Sequence, residues 1–141
     1  MTIKKFEDAQ AWQEARKLVN MIYDLTKNLL FQKDFGLRDQ IQRASVSCMS
    51  NIAEGFDSGS NQQFINYLLY ARRSSAEIQS QLYVALDRKY ITQAEFEKVY
   101  EQVKMTGKLT NGFITYLKTG QQGNRPTGKP ANRQTGKQAN T

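Results

Sequence analysis

Residues 36–55 spell GLRDQIQRASVSCMSNIAEG, a run whose apolar and small side chains follow the period of one helix face. The stripe consists of Leu37, Ile41, Ala44, Cys48, Ile52 and Gly55, and the polar residues beside it are Gln40, Ser47, Asn51 and Glu54. A polar group buried beside such a stripe is costly unless another group bonds to it. The segment therefore predicts a helix whose polar flank either meets a second helix or serves a site. Gly55 is the predicted left-handed C-cap.

The composition excludes several classes of function. The 141 residues are enough for one domain and contain a single cysteine, Cys48, and no histidine. Catalysis by histidine and an internal disulfide are therefore impossible within this sequence, and a Cys/His zinc site has no ligand set. The lone cysteine predicts a reducing, cytoplasmic setting. No apolar run has the length of a membrane span or of a secretory signal, so no membrane association is predicted.

The charge of the chain is basic and unevenly distributed. The sequence has 20 basic and 13 acidic residues, a net charge of +7. Four of the basic residues and none of the acidic ones follow Gly120, namely Arg125, Lys129, Arg133 and Lys137. A basic balance favours a nucleic acid or another polyanion as partner. A protein whose positive charge is incidental has the same composition, so both interpretations stay open here.

Apolar periodicity predicts four helices and little strand. The first is expected from Asp8, as its N-cap, to about Leu29. The second covers residues 37–55, and the third and fourth begin with the capping-box spacings Ser60–Gln63 and Thr92–Glu95. Because the connections are short, successive helices should pack antiparallel. The predicted fold is all-α, an up-and-down antiparallel four-helix bundle.

Two domains of different character are predicted. Residues 1–119 hold the four helices and the whole apolar core. Residues 120–141 contain the octapeptide repeat NRPTGKPA followed by NRQTGKQA and no large apolar residue, so a disordered basic tail is expected. The tail is either an inert repeat or a weak contact for phosphates.

The helix predicted over residues 37–55 resembles a known family. The resemblance rests on Leu37, Gln40, Ile41, Arg43, Ala44 and Ser47, and then on the block Ser50–Gly55, SNIAEG. These residues are similar to the signature of the four-helix-bundle proteins first noticed as open reading frames in rRNA intervening sequences. The same broad family includes the accessory variability proteins of diversity-generating retroelements. This chain has Met49 where the family commonly has proline, and Arg73 where it often has glycine.

The resemblance implies an assembly and a class of function. It implies a four-helix bundle that forms a ring-like homo-oligomer, typically a homopentamer, without enzymatic activity. For the retroelement members it implies binding to a reverse transcriptase and to nucleic acid, whereas the role of the rRNA-insert members is open. The sequence itself has no phosphate-cradling glycine loop and no metal-ligand motif, so no cofactor and no metal are predicted.

Basic residues outside the tail form the candidate nucleic-acid-binding set. It comprises Arg38, Arg72, Arg73, Arg88, Lys89, Lys98, Lys104 and Lys108. In a symmetric oligomer such a set becomes a ring of positive potential that can contact the phosphates of RNA, DNA or an RNA–DNA hybrid. A solvated face balanced by nearby acids is the competing interpretation. Tyr70, Tyr83 and Tyr116 can stack on bases, although packing is favoured for all three.

The polar residues of the second predicted helix suggest a structural clamp. Glu54 is expected to pair with Arg43 or Arg72, and Asn51 to bond to a backbone or side-chain group. The alternative makes Glu54 a general base, but no nucleophile or second acid accompanies it. Cys48 is expected to be a buried, inert thiol.

The basic surface and the resemblance together predict a non-enzymatic, nucleic-acid-binding accessory or scaffold, and the resemblance implies a reverse transcriptase as its protein partner. The alternative is a protein-interaction or structural oligomer with no nucleic-acid role.

Overall fold

A computed structural model of the chain describes residues 3–119. They form a short 3-10 helix, Phe6–Asp8, and five α-helices, and no strand occurs among them. The helices are α1 Gln10–Leu25, α2 Leu29–Lys33, α3 Phe35–Phe56, α4 Asn61–Asp87 and α5 Gln93–Lys118. The tail predicted over residues 120–141 lies outside the described residues.

The four long helices form a helical bundle. α3 packs against α1 and α4, and α5 packs against α4 and α1, which closes a four-membered ring of contacts. Short connections make successive long helices antiparallel. Most of the stripe predicted in residues 36–55 is buried, namely Ile41, Ala44, Cys48, Ile52 and Gly55, whereas Leu37 is only half-buried. The predicted all-helical bundle is therefore correct at this level.

The core divides into two clusters along the bundle axis. One contains Trp12, Ile52, Phe64, Leu68 and Leu117, together with smaller residues of α1 and α3. The other contains Leu18, Ile22, Phe31, Ile41, Ile78, Leu82 and Val99. No described helix has both the length and the apolar character needed to cross a membrane.

The first predicted helix, Asp8 to Leu29, is wrong at both ends. Asp8 belongs to the 3-10 helix, and the residue at the N-cap of α1 makes no side-chain cap bond. At the other end α1 stops at Leu25, where the Thr26 hydroxyl donates to the Tyr23 carbonyl at 2.9 Å. Leu29 instead begins the separate helix α2 and is 68% exposed, so it does not belong to the buried stripe.

The predicted capping boxes are present in different degrees. Thr92 and Glu95 form a complete box, with each side chain accepting from the backbone amide of the other at 2.9–3.1 Å. Ser60 accepts from the Gln63 amide at 3.2 Å, but the Gln63 side chain accepts from the amide of Gly59 rather than that of Ser60. The capping box predicted for Ser60 and Gln63 is therefore only half formed.

Gly55 is not the predicted left-handed C-cap. It lies inside α3, which continues to Phe56. A Cβ atom built on Gly55 would be 2.6 Å from Cδ1 of Phe64, closer than real contacts allow. The role of this glycine is therefore to let α3 approach α4, where Phe56, Phe64 and Phe113 pack with ring centroids 5.0–5.7 Å apart.

Candidate nucleic-acid interface

A groove of about 970 Å³, the α4–α5 groove, is lined by residues of α4 and α5 and also by Met21 of α1. Four cations of the predicted set line it: Arg72 from α4, and Lys98, Lys104 and Lys108 from α5. Glu101 is the one carboxylate among its described lining residues. A concave surface with this excess of positive charge concentrates anions near it.

Helical spacing explains why Arg72, Lys104 and Lys108 share one groove. Arg72 lies four residues before Ala76 on α4, and Lys104 lies four residues before Lys108 on α5, so each pair occupies one face of its helix. The two faces meet across the groove, where Nη1 of Arg72 donates a hydrogen bond to Oδ1 of Asn111 at 3.1 Å. This bond connects residues that are 39 positions apart in the sequence.

Small side chains keep the groove open. Ser75, Ala76 and Gly107 are among its lining residues. A Cβ atom on Gly107 would meet nothing within 4 Å, so this glycine is not required by close packing. α5 continues unbroken through Gly107, although glycine is a poor helix former. The space above these residues is therefore available to a ligand.

Most of the groove cations are not neutralised by partners within the described residues. Lys104 pairs with Glu101 at 3.5 Å, but both side chains are more than half exposed, so the pair contributes little. Arg72 is bonded to the neutral amide of Asn111. Neither Lys98 nor Lys108 belongs to any of the ion pairs found in residues 3–119. The groove therefore presents positive charge to a partner.

Three aromatic rings continue the groove along the same two helices. Tyr83 follows the lining residue Gln79 by four positions, and Tyr100 precedes Lys104 by four. The Tyr83 ring packs against Phe96 at 4.9 Å and against Tyr100 at 5.7 Å between centroids. Tyr83 is 50% exposed, whereas Phe96 is buried. Burial, with a hydrogen bond to Tyr83, raises the pKa of Tyr100, so this hydroxyl is neutral at neutral pH.

The other predicted cations lie outside this groove. Arg73 is adjacent to Arg72 but points away from it, with its guanidinium 5.2 Å from the centre of the Tyr70 ring. Arg38 pairs with Asp39 at 3.0 Å near the start of α3. Arg88 and Lys89 lie in the turn between α4 and α5, where Lys89 has a positive φ of 62°. The eight predicted residues therefore do not form one continuous patch.

The ion pair expected for Glu54 is not formed within residues 3–119. Glu54 is exposed, so water solvates its carboxylate and no cation is required. Arg43 lies on the same helix eleven residues earlier, a rise of about 16 Å, which is too far for contact. Arg72, the other expected partner, faces Asn111 across the α4–α5 groove.

Asn51 makes contacts on the polar flank of α3. Its Nδ2 donates to the Ser47 carbonyl at 2.8 Å and to the Ser47 hydroxyl at 3.1 Å. The Ser47 hydroxyl in turn lies 3.0 Å from the hydroxyl of Ser74 on α4. Cys48 is buried beside this row, and burial raises the pKa of its thiol, which makes the thiol unreactive. Small hydroxyl groups, rather than a charged clamp, connect α3 to α4 here.

A buried carboxylate that the sequence interpretation missed connects α1 to α5. Glu14 is only 8% exposed, and Nε2 of Gln102 donates to its Oε1 and to its backbone oxygen, both at 2.9 Å. The Gln102 bond, with a smaller contribution from Lys17, lowers the pKa of Glu14 despite the cost of burial. The signal available in the sequence was the position of Glu14 between the apolar residues Trp12 and Ala15.

These features define the class of the molecule as an all-helical bundle with a basic groove between its last two helices. No group of three or more described His, Cys, Asp or Glu residues could hold a metal ion. A family model described as "23S rRNA-intervening sequence protein" matches residues 7–112. The chain therefore belongs to the family of 23S rRNA-intervening sequence proteins.

A solved structure supports this assignment. The chain is similar to the crystal structure of a protein with unknown function from the S23 ribosomal protein family of Bacteroides thetaiotaomicron VPI-5482. The two share 28% sequence identity with a TM-score of 0.70, over 74% of this chain and 97% of that one. No protein of curated function matches the chain. The predicted membership of the rRNA intervening-sequence family is thus confirmed, whereas the link to retroelement accessory proteins stays a prediction.

Proposed function

We propose that this protein is a non-enzymatic scaffold that binds nucleic acid through the α4–α5 groove. The observation that carries the proposal is the convergence of Arg72, Lys98, Lys104 and Lys108 on one groove that contains a single carboxylate. Lysine side chains bind phosphate as flexible point charges, and contacts to phosphate carry no information about base sequence. Binding is therefore independent of base sequence and falls steeply as salt rises.

Self-association is part of the proposal. A homo-oligomer, with five subunits as the expected number, repeats the groove around a symmetry axis and adds the potentials of its copies. Exposed apolar side chains at the α2 end of the bundle support self-association, since Leu29, Leu30 and Phe35 are each more than half exposed. A reverse transcriptase as protein partner and a cytoplasmic setting remain predictions within this proposal.

A paired charge reversal tests the groove directly. The variant Lys104→Glu with Lys108→Glu removes two cations that lie one turn apart on α5. We expect affinity for an RNA–DNA hybrid at low salt to fall at least about tenfold, and the slope of log affinity against log salt to become shallower by about two. The measurement is a fluorescence-anisotropy titration across a salt series.

The control for this experiment has the same change of charge outside the groove. Lys4→Glu with Lys5→Glu alters two exposed residues that precede the 3-10 helix. We expect this control to keep most of the wild-type affinity. Equal losses in both double variants would show that net charge, rather than the groove, controls binding.

The second candidate function is a protein-interaction or structural oligomer without a nucleic-acid role. The exposed side chains of Leu29, Leu30 and Phe35 favour it as well, because an apolar patch fits a protein partner. An oligomer, identified by light scattering, that binds neither RNA nor DNA at low salt would establish this candidate over the first.

A further inference from the structure

We infer that the ligand of the α4–α5 groove is a single-stranded nucleic acid, one of whose bases stacks on Tyr83. This inference rests on the proposed function and specifies its ligand. It follows from the juxtaposition of a basic groove with an exposed aromatic ring on the same two helices.

The aromatic cluster is built as a platform. The Phe96 and Tyr100 rings are stacked at 5.1 Å with an interplanar angle of 27°, and Tyr83 packs against both. Tyr83 is thus held by two rings, at interplanar angles of 57° and 74°, while the residue is 50% exposed to solvent. A ring held in this way offers a rigid apolar face with little further loss of side-chain entropy when a base stacks on it.

Phosphate-binding groups lie at a suitable distance from this platform. Lys104 is one helical turn along α5 from Tyr100, a rise of about 6 Å. Arg72 lies eleven residues from Tyr83 along α4, a rise of about 16 Å. A strand that follows the groove can therefore place a base on Tyr83 and successive phosphates beside Lys104, Lys108 and Arg72.

The geometry favours a single strand over a duplex. A duplex buries the faces of its bases inside its own stack, so an aromatic side chain on a protein surface cannot reach them. Single strands expose those faces, and a positively charged groove beside aromatic side chains is the arrangement that binds them.

Tyr70 provides a matched control residue on the same helix. It is 49% exposed, almost the same as Tyr83, but its ring lies beside the guanidinium of Arg73 and does not belong to the cluster of Tyr83, Phe96 and Tyr100. If any exposed aromatic ring on α4 contributed to binding, substitution of either tyrosine would weaken it. A loss that depends on the groove would appear only at Tyr83.

The experiment compares three probes: a short oligothymidylate, an abasic oligomer of the same length, and a duplex. We expect Tyr83→Leu in the full chain to weaken oligothymidylate binding by about tenfold, within the range for loss of one stacked base, and to leave the abasic oligomer unaffected. Tyr83→Phe keeps the ring and should bind like the wild type, as should Tyr70→Leu. Circular dichroism and the thermal midpoint check that each variant is folded.

Spectroscopy gives a second measurement that does not depend on affinity. A 2-aminopurine base in the oligomer should lose fluorescence on binding to the wild type, because stacking quenches it, and should stay bright with Tyr83→Leu at saturation. If the wild type binds abasic and base-containing oligomers equally, or if Tyr83→Leu changes neither affinity nor quenching, the inference is overturned.

The outcomes separate this inference from the proposed function. Loss of all binding in Lys104→Glu with Lys108→Glu, together with unchanged binding in Tyr83→Leu, would keep the groove as a phosphate site and reject base stacking. Absence of binding to all three probes by the wild type would reject both.

Discussion

A buried carboxylate, Glu14, connects the first and last long helices through Gln102. The two residues are 88 positions apart, and the bonds between them are the principal polar contact described between α1 and α5. Glu14 keeps its charge in a buried position because Gln102 donates to its carboxylate and Lys17 lies 3.1 Å away. At the scale of the residue, a buried carboxylate in an apolar stripe is thus stabilised by a donor on a facing helix and by a nearby cation.

The Glu14 contact predicts a pH dependence of stability. The pKa of Glu14 is lower in the folded than in the unfolded chain, chiefly because of the Gln102 bond. The stabilisation is therefore fully present above the unfolded pKa and is lost as the pH falls through the folded pKa. We expect Glu14→Gln to lose less unfolding free energy than the wild type between neutral and acid pH, as measured by urea unfolding at each pH. Equal losses in the two proteins would contradict this account of Glu14.

Close approach of α3 and α4 depends on the absence of a side chain at Gly55. The ring of Phe64 occupies the space into which a Cβ atom would project. The same interface contains the Ser47–Ser74 hydroxyl contact at 3.0 Å, so small residues line much of it. At the scale of the element, the SNIAEG block therefore forms the last turns of α3 and packs against α4 through Ile52 and Gly55.

Gly55→Ala tests this packing role. The added Cβ would lie 2.6 Å and 2.9 Å from two ring carbons of Phe64, and the overpacking should destabilise the fold by about 1–3 kcal/mol. Urea unfolding measures the change.

The matched control is Gly112→Ala on α5, where an added Cβ meets nothing within 4 Å. This substitution should stabilise the protein by up to about 1 kcal/mol, through helix propensity alone. If Gly55→Ala were as stabilising as Gly112→Ala, the packing role would be wrong.

Local sequence patterns predicted which helices form better than they predicted where each helix begins and ends. The buried stripe of α3 and the Thr92–Glu95 box depend on residues within a few positions of each other, and most of the stripe and the whole box occur as predicted. The break after Leu25 was not predicted, because Leu25 of α1 and Phe31 of α2 are both buried in the same core cluster. A periodic pattern cannot distinguish one long helix from two that share an apolar stripe.

The candidate site was predictable as a list of residues but not as a surface. Which cations share a groove depends on the register of α4 against α5, which the Arg72–Asn111 bond reveals and no sequence motif encodes. Adjacent residues such as Arg72 and Arg73 point about 100° apart on a helix and so belong to different faces. For the same reason Glu54 was assigned a partner that its helix face does not reach.

At the scale of the whole molecule, the described bundle has one groove that combines unneutralised cations, small lining residues and an aromatic platform. The fold fixes the relative positions of these groups, because α4 and α5 contact each other at Arg72 and Asn111 and again at Tyr83 and Phe96. A family of all-helical bundles can acquire different ligands through the side chains on such a groove without a change of fold.

We expect the bundle itself, rather than residues 120–141, to bind nucleic acid. The full chain and residues 1–119 would be titrated with single-stranded and hybrid nucleic acid across a salt series, with the mass of each complex determined by light scattering. The account predicts that both proteins bind as oligomers, with log affinity falling linearly against log salt. Binding by the full chain alone would assign the activity to residues 120–141, and an oligomer that binds neither probe would contradict the claim.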